Sequence, residues 1–477
     1  LVPLLALDAG EQRVGVLLPP GRGGAIVNLA LALAGRTAVN LNHTAGEAQV
    51  KRMCELAEVR TVISATPYLR RINVATPGRM ALLDELLPKA GKLTLAMRSA
   101  GGLLLPTSWL ARARADDTAA IVFSSGSTGD PKGVELTHRQ ILANLESIAL
   151  GLELNADDVL LNPLPLFHSF GLVPGMWLGL VQGMASAAHP DPTDAKALGN
   201  LASEVRATFL ISTPTFVRGY LRRVEPEQFK SLRFAVVGAE RCPGDLKAAF
   251  KERFGADLLE GYGCTELAPV VAVNLPTVAR DGMEEKRHRD GSVGRPLPGV
   301  QVITVDPETR AHLPTGSEGL LVVRSAARMR GYLNRPDLTD AAFIHGGYNT
   351  GDIGKVDGDG FVHITGRLAR FAKIAGEMVP LDNIELALQA LAGLDIEVAV
   401  AAVADPAKGE RLIVLHHGWT GSAEDLLKAA DELPALWRPK PRDVYAVEAI
   451  PKLGTGKRDL AGIKRLAAEK VAAPSAA

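Results

Sequence analysis

Between residues 13 and 259 the chain repeatedly sets a short apolar run beside a stretch whose apolar positions have helical spacing. This alternation restricts the fold more than any other feature. Residues 13–20 read as a buried strand ending in a Pro-Pro turn, 25–34 as a helix and 37–41 as the next strand. The pairs 47–56 and 59–64 repeat the helix–strand step, and further strands fall at 119–123, 208–212, 234–237 and 257–259, with a helix over 139–150. Strands that are apolar throughout, with no polar alternation, are what a sheet covered on both faces requires. A layered α/β fold follows.

Past about residue 290 the texture changes. Strands at 300–305, 319–323, 354–356 and 361–364, separated by Gly, Asp and Pro turns, predict a β-rich subdomain. From residue 369 a compact α+β unit is expected: helix 381–391, strands 398–403 and 412–416, helix 423–433, strand 443–447 and a final basic helix. The expected organisation is α/β, with a large N-terminal domain over 1–368 and a small C-terminal domain over 369–477.

Composition removes several function classes. Lys plus Arg and Asp plus Glu are both 53, so the chain has no basic field to neutralise nucleic-acid phosphates, and aromatics at 5% are sparse for base stacking. Cys54, Cys242 and Cys264 lack CxxC spacing and read as buried small apolar residues in a reducing compartment. Residues 159–190 carry no Asp, Glu, Lys or Arg, but Pro163, Pro165, Pro174 and several glycines break the run. A spanning helix needs about 20 mainly apolar residues. The stretch therefore reads as buried strand, loop and helix, and a peripheral membrane contact stays open. The first residues lack the basic region of a signal peptide, which points to the cytoplasm, while Leu at position 1 is expected of the later part of a longer polypeptide.

The sharpest local signal is Ser124-Ser-Gly-Ser-Thr-Gly-Asp-Pro-Lys-Gly133, directly after an apolar strand. Gly126, Gly129 and Gly133 let backbone amides approach an anion and adopt positive φ, Ser124, Ser125, Ser127 and Thr128 add hydroxyls, and Lys132 adds a cation. These are the requirements of a polyphosphate, although the order is not that of a Walker loop. The bland alternative is a polar turn between a strand and a helix. Further along, Gly261-Tyr-Gly-Cys-Thr-Glu266 offers a flat ring and a carboxylate, Tyr348-Asn-Thr-Gly-Asp352 ends in a carboxylate suited to ribose hydroxyls, and Gly366-Arg367 supplies a cation. Pro451-Lys-Leu-Gly-Thr-Gly-Lys457 is a tight loop with Lys457 at its tip. Each of these alone is also satisfied by an ordinary turn or a solvated side chain.

In this order, over roughly residues 14–466, the segments resemble the adenylate-forming (AMP-binding) superfamily of acyl-CoA synthetases, peptide-synthetase adenylation domains and luciferases. Met329-Arg-Gly-Tyr-Leu-Asn-Arg-Pro336 and Asp357-Gly-Asp-Gly-Phe361 also look like that family. Leu164-Pro-Leu-Phe-His-Ser-Phe-Gly171, Val237-Gly-Ala-Glu240 and Phe371-Ala-Lys-Ile-Ala-Gly-Glu-Met-Val379 look most like one branch. It is the acyl-acyl-carrier-protein synthetase half of bifunctional 2-acylglycerophosphoethanolamine acyltransferases, in which an acyltransferase domain lies upstream.

The resemblance implies the following roles. Residues 124–133 cradle the β- and γ-phosphates of ATP. Gly238, Ala239 and Glu240, with Gly261 and Tyr262, border the adenine. Thr265 faces the α-phosphate and Glu266 binds Mg²⁺. Asp352, helped by Arg367, holds the ribose hydroxyls. His168 gates the acyl pocket, and Lys457 reaches the reacting centre from a mobile small domain. Gly331 and Tyr332 are assigned to structure. A fatty acid would be activated as acyl-AMP and passed to the phosphopantetheine thiol of acyl carrier protein or, alternatively, to CoA. Gly376 and its neighbours would face that thiol. The location implied is cytoplasmic or the inner face of the cytoplasmic membrane, in lysophospholipid reacylation.

One departure is Ala369, where the family usually places Asp or Lys as the hinge between domains. Between positions 438 and 470 nine Lys/Arg face four Asp/Glu, which suits an acidic carrier protein, the phosphates of CoA, or merely solvent. Two other expectations compete: a non-catalytic nucleotide-binding regulator, against which the retained Lys132, Glu266, Asp352 and Lys457 argue, and a covalent acyl carrier on Cys264.

Overall fold

In the computed structural model of the chain, the described residues are 7, 10–72, 74, 76–89, 113–125, 131–276, 278–280, 283–285, 287–375, 377–393, 396–406, 408–452 and 458–472. The first sheet has seven strands, in the order Gly331–Tyr332, Pro131–Thr137, Thr118–Ser125, Thr37–Asn40, Arg13–Val16, Thr61–Ser64 and Arg79–Leu82. The last five are mutually parallel, and the first two run antiparallel to their neighbours. Val14, Val16 and Ile63 pack on Val27 and Leu31 of helix Arg22–Leu33, while Leu17, Val39 and Ile121 pack with Val50 and Met53 of helix Glu47–Leu56. Burial on both faces is why apolar residues dominate the middle of these strands, and the buried polar Asn40 is satisfied by Asn28.

The second sheet also has seven strands, ordered Arg295–Pro296, Val270–Val273, Asp257–Gly263, Phe234–Val237, Phe209–Ser212, Val159–Asn162 and Ala185–Ala188. One face buries Tyr220, Phe229, Phe250 and Phe254. The other joins a core that also takes Val122 and Val134 from the first sheet and Leu321, Val323 and Val362 from the third. That third sheet is antiparallel, built from Val300–Val305, Gly319–Ser325, Gly347–Val356, Phe343–Ile344 and Val362–Arg367. Three sheets thus meet on one core, and strand ends from all of them converge there.

After a short turn, Leu368–Arg370, a fourth sheet holds Glu377–Pro380, Phe371–Ile374, Gly409–His417 and Glu397–Asp405, with Val444–Ala446 alongside. Helix Leu381–Ala392 covers one face and Leu460–Ala472 the other. Arg370, only 6% exposed, is fixed inside this unit. It donates to Asp382 Oδ1, Glu385 Oε2 and the Val400 carbonyl, each at 2.7 Å.

Several expectations change. The glycine-rich segment does not lead from strand to helix. Thr118–Ser125 and Pro131–Thr137 pair antiparallel, with Ser124 opposite Lys132, so it caps a hairpin. Gly133 lies on a strand without positive φ, and its need for glycine is packing: a Cβ there would sit 3.1 Å from Leu333 Cβ and 3.2 Å from Ile121 and Phe123. The helix expected over 423–433 stops after Ala423–Leu427 and tightens to a 3₁₀ turn at Lys428–Ala430. Residues 159–190 fold as strand, loop and short helices, and no helix among the described residues is long and apolar enough to cross a membrane.

Candidate active site

A cavity of 1220 Å³ opens where the sheets converge. Its polar end begins at the hairpin, whose strands supply Ser124 and Lys132. Among the described residues Lys132 has no carboxylate partner; its Nζ lies 5.7 Å from the centre of the Tyr332 ring. An unneutralised cation beside a hairpin tip suits a polyanion. Gly126, Ser127, Thr128 and Gly129 lie outside the described residues, as do Gly376, Lys457 and the side chain of Ser125.

One wall is strand Asp257–Gly263, which carries Gly261 and Tyr262. The sequence had suggested a strand ending at 259; it runs on because residues 261–263 pair with Val270–Val273. Closing that turn requires Gly263, where a Cβ would lie 2.1 Å from the Pro269 carbonyl oxygen. Tyr262 Oη donates to Asp352 Oδ2 at 2.5 Å, and Arg367 Nε donates to Asp352 Oδ1 at 2.8 Å. Asp352 is 3% exposed, and these two donors satisfy both of its oxygens in a desolvated position. Burial, and then the Asp352 charge, push the Tyr262 phenol well above its ordinary pKa, so it stays a donor. Asp352 likewise holds the Arg367 guanidinium above its usual value.

Gly238, Ala239 and Glu240 line the same space. Ala239 is held at φ 68°, a left-handed conformation that costs a non-glycine residue of order 1 kcal/mol. Glu240 Oε2 accepts from Thr215 Oγ1 at 2.6 Å.

Thr265 Oγ1 lies 3.1 Å from Ser169 Oγ, and Glu266 is 9% exposed, not an exposed turn residue. Glu266 Oε1 accepts from Tyr332 Oη at 2.8 Å, and Tyr332 Oη is 3.3 Å from Tyr348 Oη. No described residue hydrogen-bonds its second oxygen. Tyr332 therefore belongs to the site, contrary to its assignment to structure alone, and Tyr348 and Ser169 join it as residues the sequence did not single out. Among the described residues there is no group of three His, Cys, Asp or Glu able to hold a metal. The donor set is one carboxylate lining the cavity, which fits Mg²⁺, an ion that commonly takes one or two carboxylates plus substrate phosphate oxygens.

Cys264 corrects the expectation of three buried cysteines: Cys54 and Cys242 are buried, but Cys264 lines the cavity floor. Its depth, then the charges of Glu266 and Asp352, push its thiol well above the ordinary value, so it is not a thiolate. Cys264→Ala is expected to keep turnover within about twofold, since a protonated thiol is a poor nucleophile. A steady-state assay checks this, and complete loss of activity would restore the covalent-carrier idea.

The other end of the cavity is apolar. Helix His138–Leu152 contributes Ile148 and Leu152, met by Phe209, Ile211, Val270 and Leu297. That helix is fixed by a capping box, in which Gln140 N donates to Thr137 Oγ1 at 3.2 Å and Thr137 N to Gln140 Oε1 at 2.8 Å. Buried Asn144 then clamps it to the second sheet through both the N–H and the carbonyl of Val270. His168 also lines the cavity, its ring centroid 4.7 Å from that of Phe167. Arg458 to Ala461, from the segment after the fourth sheet, complete the lining.

A family model described as AMP-binding enzyme matches residues 4–333. The chain is similar to 4-coumarate–CoA ligase-like 9 of Oryza sativa subsp. japonica, 29% identical over 91% of this chain and 79% of that one. It is 28% identical to medium-chain fatty-acid–CoA ligase of Escherichia coli (strain K12), over 94% and 80%. It is 32% identical to 4-coumarate–CoA ligase 2 of the same rice, over 72% and 61%. The chain thus spans between 61% and 80% of the length of these relatives. Among solved structures, ATP-bound MatB from Rhodopseudomonas palustris superposes with a TM-score of 0.78 at 26% identity, over 98% of this chain and 90% of that one. The Bacillus subtilis o-succinylbenzoate CoA synthetase with its acyl-adenylate shares the fold, with a TM-score of 0.80 at 21% identity over 96% and 89%.

Proposed function

The chain belongs to the AMP-binding enzyme family, and from that premise we propose that it is an AMP-forming acid–thiol ligase that activates a fatty acid with ATP. The observation that carries this reading is the two-ended cavity: a polar end with Lys132, Glu266 and the Tyr262–Asp352–Arg367 group, continuous with an apolar end around Ile148 and Leu297. Arg71 and Asp191 also line the cavity but are paired with each other at 2.6 Å, and the apolar lining around Ile148 and Leu297 suits an alkyl tail.

In this reading the fatty carboxylate attacks the α-phosphorus of ATP, the bond to the β-phosphate breaks, and pyrophosphate leaves with the electron pair. Two anions must meet, so the barrier is largely electrostatic. Lys132 and the hairpin tip bind the β- and γ-phosphates, Asp352 and Arg367 orient the ribose, and Thr265 with Ser169 faces the α-phosphate. Glu266 would hold a Mg²⁺ ion, which would supply further charge neutralisation. Burial of the alkyl tail contributes about 25 cal/mol per Å² and orients the head group. Lys457 is proposed to sit between carboxylate and phosphate, on a domain spanning 369–477 that pivots near Ala369 relative to 1–368. After the pivot a thiol attacks the acyl-adenylate and AMP leaves.

The CoA ligases among the relatives support CoA as that thiol. A second reading, acyl carrier protein, is supported by the exposed Arg438, Lys440, Arg442, Lys464 and Arg465 on the small unit. It carries with it the acyl-carrier-protein synthetase branch, an upstream acyltransferase domain and a role in phospholipid reacylation at the inner membrane face.

The test is to supply ATP, Mg²⁺ and radiolabelled fatty acid with CoA or holo-carrier protein separately. Pyrophosphate release and a labelled thioester are expected with one acceptor, and no release with any fatty acid overturns the proposal. Ile148→Phe is expected to shorten the preferred acid: each methylene displaced from an apolar pocket is worth about 1–3 kcal/mol, so kcat/KM for the longest accepted acid should fall at least about tenfold. A chain-length series checks this, with short acids unaffected.

A further inference from the structure

The segment Met329–Tyr332 touches the site twice. Its backbone N–H at Met329 donates to the Glu266 carbonyl at 2.7 Å, and the Tyr332 hydroxyl donates to Glu266 Oε1 at 2.8 Å. The same segment forms the edge strand Gly331–Tyr332, paired with Pro131–Thr137 so that Tyr332 lies opposite Val134 and Gly331 opposite Glu135. That partner strand carries Lys132, whose ammonium lies 5.7 Å from the centre of the Tyr332 ring. One tyrosine is thus attached by its backbone to the phosphate hairpin and by its hydroxyl to a buried carboxylate 66 positions away in the sequence.

The geometry points to Tyr332 as the positioning residue for a divalent cation at Glu266: it occupies Oε1, turns Oε2 toward the cavity, and fixes that oxygen relative to the hairpin that receives the phosphates. A carboxylate that is 9% exposed has few other partners to orient it. Tyr348 Oη, 3.3 Å from Tyr332 Oη, restrains the phenol in turn. The geometric coupling matters because a Mg²⁺ held by one carboxylate and two phosphates tolerates little departure from octahedral placement. This inference rests on the proposed nucleotide site.

The test titrates Mn²⁺, as a paramagnetic probe, into the full chain with a non-hydrolysable ATP analogue present, and reads bound metal by electron paramagnetic resonance. Tyr332→Phe removes only the hydroxyl. Loss of a hydrogen bond to a charged group is expected to weaken Mn²⁺ binding about tenfold. Binding of the analogue without metal should stay unchanged, as should the melting temperature to within a few degrees. In a Glu266→Gln background, Tyr332→Phe should have no further effect on the metal, because the oxygen it positions is already compromised. Equal Mn²⁺ affinity in wild type and Tyr332→Phe overturns the inference. An equal loss of metal-free analogue binding and metal binding also overturns it, by making Tyr332 a general structural residue. A wild-type chain that binds neither analogue nor Mn²⁺ defeats the ligase reading instead.

Discussion

Replacing Lys457 with Ala is expected to lower the rate of acyl-adenylate formation by about 10²–10³-fold, the usual cost of losing one charge-stabilising group aimed at a transition state. Thioester formation from preformed acyl-adenylate stays within a few-fold of the parent. The effect is electrostatic. The first half-reaction brings a carboxylate against a phosphate, and a cation between them offsets a repulsion that persists through the transition state. The second begins from a mixed anhydride whose acyl carbon is uncharged and removed from the phosphate charge, so a thiol attacks it without that repulsion. Rapid-quench measurement of the two half-reactions checks the result. Equal loss in both would mean that Lys457 acts throughout, and the two-position account of the small unit would fall.

Asp352→Ala is expected to raise the KM for ATP at least about tenfold and to lower stability by about 2 kcal/mol. The carboxylate accepts from both Tyr262 and Arg367, and truncation leaves a buried phenol and a guanidinium without their common acceptor. The stability effect falls below the larger cost of breaking a fully buried pair, because the Arg367 side chain is 60% exposed toward the cavity and keeps solvent. Urea unfolding and calorimetric ATP titration separate the two effects. A stability loss with unchanged ATP affinity would reduce Asp352 to a structural role.

Much of the parallel core was legible because strands such as Phe209–Ser212 and Phe234–Val237 are buried on both faces and carry near-continuous apolar runs. What escaped was set by distant partners. Strand Gly347–Val356 was recognised only at its last residues, because Asn349, Thr350, Gly351 and Asp352 interrupt any apolar pattern; pairing with Gly319–Ser325 and Val362–Arg367 makes them a strand regardless. Tyr332 was legible as part of a motif but not as a neighbour of Glu266, since that contact depends on an edge strand docking on a hairpin far away in sequence. The segment 423–433 buries Leu426, Leu427 and Ala430, a spacing that a tightening 3₁₀ turn satisfies as well as a continued helix. The site was more legible than its wiring: Ser124, Lys132, His168, Gly238, Ala239, Glu240, Gly261, Tyr262, Thr265, Glu266 and Arg367 all border one cavity, and Asp352 bonds two of them. Their hydrogen-bond partners were not visible in any local pattern.

Arg367 and Arg370 stand three positions apart, yet one is tied to the third sheet through Asp352 and the other to the fourth through Asp382 and Glu385. In the proposed pivot of the small unit, torsion would therefore collect at Leu368 and Ala369, like twist in a short axle between two bearings. Neither charged anchor would have to let go, whereas Leu368 and Phe371, which pack on Val305, Leu320, Val322 and Ile353 of the third sheet, would have to shift. The absence of a charged side chain at Ala369 then loses its importance, because the guanidiniums on either side already define the axis.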